Sequence, residues 1–118
     1  MKTFLAALAG LMVSAAGAGA QSIGGTYAVA GTNFDGSQYV GTAKIALTSA
    51  TTCTIRWQTG GTSSKGICMR NDDSFAASYV MGNVMGLVVY KVRPDGSLDG
   101  LWTIAGQDGN GTEVLTPQ

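Results

Sequence analysis

The stretch Thr52-Cys53-Thr54-Ile55-Arg56-Trp57-Gln58 decides the fold. Cys53, Ile55 and Trp57 alternate with Thr52, Thr54, Arg56 and Gln58, the inside–outside period of a half-buried strand. Gly60-Gly61 follows, a pair that tolerates positive φ and closes hairpins. In a hairpin centred on that pair, directly opposed residues have numbers adding to 121, a condition that Cys53 and Cys68 meet. Opposed Cα atoms lie about 4.5–5.5 Å apart, inside the ~4.4–6.8 Å range that a disulfide spans. The spacing therefore predicts a Cys53–Cys68 bond across two strands. With Cys68 on the inner face, Ile67 and Met69 point outward as a candidate surface patch, unless a bulge resets the faces.

The same period recurs on both sides of this hairpin. Tyr27 and Val29 alternate with Thr26 and Ala28, and Tyr39 to Leu47 continue the pattern. Further short strands are expected at Ile67–Arg70, Phe75–Val80, Val84–Val92, Leu98–Ala105 and Thr112–Leu115. Turn chemistry separates them: Asp35-Gly36, Asn71-Asp72-Asp73-Ser74, Gly82-Asn83, Pro94-Asp95-Gly96 and Asp108-Gly109-Asn110-Gly111. Ser49-Ala50-Thr51 is the weakest of the connections. No segment after residue 21 sustains a helical period. Short connections favour antiparallel neighbours, and closure removes the vulnerable edges. The expected fold is all-β, a small antiparallel up-and-down barrel of about eight strands over residues 21–118.

Residues 1–20 read as an address. Lys2 precedes an apolar run from Phe4 to Val13, and Ala18-Gly19-Ala20 forms a signal-peptidase site before Gln21. The run is too short for a bilayer span, which takes about 20 apolar residues. A secreted or periplasmic location follows, where a disulfide persists. The mature chain would carry six Lys+Arg against seven acids, a net charge of −1. That balance gives no footprint for nucleic acid.

The chain has no histidine, so the commonest general base and metal ligand are both missing. No Ser-x-x-Lys spacing substitutes for them, and no catalytic residue, cofactor or metal is expected. Asp108, Asn110, Thr112 and Glu113 resemble an oxygen-rich calcium loop, but Asn-Gly is also a strong hairpin signal, and turn duty is the preferred reading. Alternating strand directions bring Tyr39, Trp57 and Tyr79 to one end, with Trp102 somewhat above the middle. Tyr27, Phe75 and Tyr90 fall near the other end. An eight-stranded barrel is just wide enough to be filled by side chains or to hold one small ligand. Tyr39, Trp57, Tyr79 and Trp102 are thus either core or a ligand mouth for a small apolar or aromatic molecule. Arg56 and Arg70 are the only cations placed near that half, with Arg56 facing outward.

Gly100-Leu101-Trp102-Thr103-Ile104-Ala105-Gly106, with Gly111-Thr112-Glu113, resembles the closing strands of avidin-like barrels. No avidin ligand set carries over position by position. A wider pattern runs from Gly25-Thr26-Tyr27 through Asp35-Gly36-Ser37 and Gly66-Ile67-Cys68-Met69-Arg70 to Trp102-Thr103-Ile104-Ala105-Gly106. It is similar to a group of short exported bacterial proteins often labelled fibronectin-binding. That resemblance implies an exported, non-enzymatic adhesin with an extracellular protein partner. The alternatives are a small-molecule binder using the mouth, or an inhibitor of a secreted enzyme.

Overall fold

The computed structural model describes residues 22–118. The leader expected over residues 1–20 and its cleavage before Gln21 lie outside them. Eight strands follow in order: β1 (Gly25–Thr32), β2 (Gln38–Leu47), β3 (Thr52–Thr59) and β4 (Thr62–Asn71), then β5 (Ser74–Met81), β6 (Val84–Val92), β7 (Leu98–Ile104) and β8 (Gly111–Pro117). Each pairs antiparallel with the next, and β8 pairs with β1 to close the barrel. There is no helix among the described residues.

The hairpin that decides the fold has the expected register. Cys53 stands opposite Cys68 and the two are bonded, with Cα atoms 5.0 Å apart. Gly60 and Gly61 both take positive φ, 54° and 82°, as the right-handed twist of the flanking strands demands of a two-residue turn. No bulge interrupts β3–β4 pairing, so Ile67 and Met69 face solvent at 69% and 56% exposure. β4 begins at Thr62, five residues before the segment expected from its apolar content. Its first half, Thr62-Ser63-Ser64-Lys65, is polar on both faces and so carries no hydropathy signal.

Alternation fills the interior. Phe75 and Tyr90 stack with centroids 5.6 Å apart, and together with Ile55, Leu98 and Leu115 they are almost completely buried. Tyr27 closes this region by donating to the Ile23 carbonyl at 2.6 Å. One half of the barrel is thus filled by large buried side chains. The turns β1–β2, β3–β4, β5–β6 and β7–β8 lie at the other end, called the mouth end here.

Asp35-Gly36-Ser37 and Asp95-Gly96-Ser97 build the same turn at opposite ends. In each, the aspartate accepts from the serine N–H at 2.9 Å and from its hydroxyl, while the glycine takes φ near 87°. These bonds hold both carboxyls below the usual range. Local turn chemistry accounts for this recurrence of Asp-Gly-Ser.

Candidate ligand-binding site

The four aromatic residues expected at the mouth come together there. Tyr39, Trp57, Tyr79 and Trp102 all line a cavity of about 320 Å³ open at the mouth end. Trp57 and Tyr79 are buried and meet edge to face at 5.3 Å, while Tyr39 and Trp102 are half-buried and meet similarly at 6.3 Å. Core filling and a hollow mouth are therefore both present, one in each half.

Glycines set the rings. Tyr39 is paired with Gly31, Tyr79 with Gly86, Tyr90 with Gly100 and Trp102 with Gly111. In each pair the ring lies where a Cβ on the glycine would stand, so only glycine allows the ring to lean over the neighbouring strand. Trp57 instead faces Ser64, whose small side chain leaves space in the cavity wall.

Glu113 is the residue that the sequence reading missed. It is the one charged side chain buried among the described residues, at 6% exposure, and it lines the cavity. Its strand neighbours are Gly31 on one side and Gly100 on the other. The tyrosines lying over those two glycines both turn their hydroxyls to it. Tyr39 donates to Oε1 at 2.7 Å, and Tyr90 donates to Oε2 at 2.5 Å. Trp57 Nε1 crosses the barrel to donate to Oε2 at 3.0 Å. Three donors on one carboxylate are what a buried charge requires.

The electrostatic consequences fall on the phenols. Burial pushes the Tyr79 hydroxyl up to about 12, and the Glu113 charge adds to this. Tyr39 and Tyr90 are raised by the same two causes, burial first and then Glu113. Tyr27, in the packed half, is raised by burial, which Arg70 partly opposes. None of the four ring-borne polar tips at the mouth is left facing the cavity without a protein partner. Tyr79 donates to the Thr103 carbonyl at 3.0 Å and Trp102 Nε1 to the Thr112 carbonyl at 3.2 Å.

Three further placements bear on the site, and the first differs from the sequence reading. Arg70 lies at the end away from the mouth, opposite Phe75, where its Nε donates to the Asp72 carbonyl at 2.7 Å. Phe34, in the β1–β2 turn, packs on Trp102 with centroids 5.0 Å apart and extends the aromatic rim. The residues resembling a calcium loop do not converge, because Glu113 points inward while Thr112 bonds outward to Thr32 at 2.6 Å. Among the described residues no group of three or more His, Cys, Asp or Glu could hold a metal. No helix among them is long and apolar enough to cross a membrane.

The outward patch is wider than two residues. Met69, Ala76, Val89 and Leu101 form one cross-strand row over β4–β7, and Ile67 with Leu87 flank Ser78 in the next. Ile67, Met69, Leu87, Val89 and Leu101 all stand more than half exposed.

No protein-family model matches this chain, and no curated protein matches it. Solved structures do. It is similar to a redesigned β barrel at 23% identity and a TM-score of 0.70, over 81% of this chain and 91% of that one. A de novo designed fluorescence-activating β barrel shares 18% identity at a TM-score of 0.65, over 80% and 93%. Another redesigned barrel, solved bound to DFHBI, shares 22% at 0.67, over 80% and 94%. The class is thereby defined: a closed, all-antiparallel eight-stranded β barrel. The fibronectin-binding resemblance receives no support from these likenesses.

Proposed function

We propose that this protein is an exported, non-enzymatic binder of a small molecule, held in the mouth by Tyr39, Trp57, Tyr79 and Trp102. The observation that carries the reading is the half-hollow interior. A barrel that needed only stability would pack both halves, since a void forfeits contact energy. Here glycines and Ser64 keep about 320 Å³ open beneath an aromatic rim, within the size range of ligand pockets. A structural neighbour carries DFHBI, which supports the same use of the architecture. The Cys53–Cys68 bond supports an oxidising compartment.

Titration with a panel of small aromatic compounds tests this reading, using tryptophan emission and melting temperature. Saturable emission changes with a rise in melting temperature are expected, and no response across the panel would refute it. A protein-binding role is the second reading, favoured by the apolar field around Ile67 and Met69. It predicts that Ile67→Ser with Met69→Ser weakens capture of a protein partner while leaving the melting temperature nearly unchanged.

A further inference from the structure

We propose that the mouth selects an organic monocation, its ammonium group held between the Glu113 carboxylate and the faces of the surrounding rings. This rests on the small-molecule reading and adds the chemical class of the ligand. The charge inventory comes first. Among the described residues, Glu113 is the only charged one lining the cavity, and no lysine or arginine lines it. Lys44, Arg56 and Lys65 face outward on β2–β4, and Arg70 sits at the packed end. Neither the Lys91–Asp73 nor the Arg93–Asp99 ion pair involves Glu113.

The second observation is how the hydrogen bonds are distributed. Oε2 accepts from both Trp57 and Tyr90, whereas among the described residues Oε1 accepts only from Tyr39. A carboxylate oxygen has two acceptor positions, so Oε1 keeps one that no described donor fills, on a residue that lines the cavity. The third is the orientation of the aromatic groups. The indole N–H and phenol O–H groups of Tyr39, Trp57, Tyr79 and Trp102 are all spent on protein acceptors. With those donors spent, the aromatic groups offer a ligand ring surface and phenol oxygens, which accept but do not donate. A cation is attracted by the carboxylate and can be held on ring faces; an anion is repelled by the carboxylate. The volume, about that of ten water molecules in the liquid, admits one ring with a substituted ammonium group.

Three compounds of similar size decide the matter by isothermal titration calorimetry on the mature chain: phenyltrimethylammonium, its neutral isostere tert-butylbenzene, and benzenesulfonate. The ammonium compound is expected to bind at least about tenfold more tightly than the neutral one, a difference of ~1.4 kcal/mol that cation–π contacts and a carboxylate readily supply. Benzenesulfonate is expected not to saturate. Glu113→Gln should lower the ammonium-to-neutral ratio, leaving only the part that the rings supply. If that variant does not fold, the wild-type ratio alone decides. Neutral or sulfonate binding as tight as the ammonium compound would overturn this inference while leaving the small-molecule reading standing. No binding by any of the three would overturn both.

Discussion

Replacing Glu113 with alanine removes the acceptor on which three rings converge. Trp57 and Tyr90 are 5% and 2% exposed, so their N–H and O–H groups lose a partner inside the barrel. A buried donor left unsatisfied costs about 1–3 kcal/mol. Tyr39 counts for less, because the Thr112 carbonyl already lies 3.5 Å from its hydroxyl. Relief of the buried charge and entry of water through the mouth offset part of the loss. The net expectation is about 2–5 kcal/mol, a large part of a small domain's stability. Glu113→Gln keeps an acceptor for Trp57 and Tyr90 and should cost roughly 1–2 kcal/mol, the difference between charged and neutral hydrogen bonds. Glu113→Leu should be no better than alanine, since apolar bulk satisfies neither donor. Urea unfolding measures all three, with an unchanged slope showing that the fold is kept. In a double-mutant cycle, Tyr90→Phe with Glu113→Ala should cost less than the two changes separately. A Glu113→Leu protein as stable as wild type would refute the reasoning.

Other consequences follow from the same structure. All four tyrosines hold their protons above the ordinary value near 10. The unfolded chain releases those protons first, so stability is full below pH 10 and falls as pH rises toward the folded values. The loss is at most about 1.4 kcal/mol per pH unit for each tyrosine. Tyrosinate absorbance should therefore appear together with loss of the far-ultraviolet dichroism; tyrosinate in a protein with intact dichroism near pH 10 would contradict this. Removing the disulfide with Cys53→Ala and Cys68→Ala should cost about 3 kcal/mol in urea unfolding, from loop-closure entropy. Intact mass of exported protein, with and without reduction, should show one bond and a start at Gln21. Gly86→Ala puts a methyl group where the Tyr79 ring lies, and overpacking of this kind costs about 1–3 kcal/mol. An unchanged urea midpoint would show that the ring is not held there.

The barrel was legible because its strands alternate cleanly and its turns use residues that tolerate positive φ. The β3–β4 register followed from Gly60-Gly61 and the two cysteines, and the mouth aromatics followed from strand direction alone. Glu113 was hidden by its company. Asp108, Asn110 and Thr112 make it look like a turn acid, although it shares its face with Leu115, two residues on, which is fully buried. Parity pointed inward, but the charge argued for solvent. The glycine–aromatic pairs were open to the arithmetic that paired the cysteines: about Gly82-Asn83, opposed residues add to 165, as 79 and 86 do. Which half of the barrel is hollow was not legible. That depends on how all eight strands stagger and on the volumes they bring to each level, which no single hairpin determines.

The hollow mouth is tested most directly by the two indole N–H signals in an NMR titration with phenyltrimethylammonium. Trp57 and Trp102 are the only tryptophans, and both line the cavity. Both signals should shift along saturable curves with one dissociation constant, while the Phe75 and Leu98 signals in the packed half stay put. Stationary indole signals, with shifts confined to the Ile67 and Met69 methyl groups, would contradict the account and place binding on the outer face.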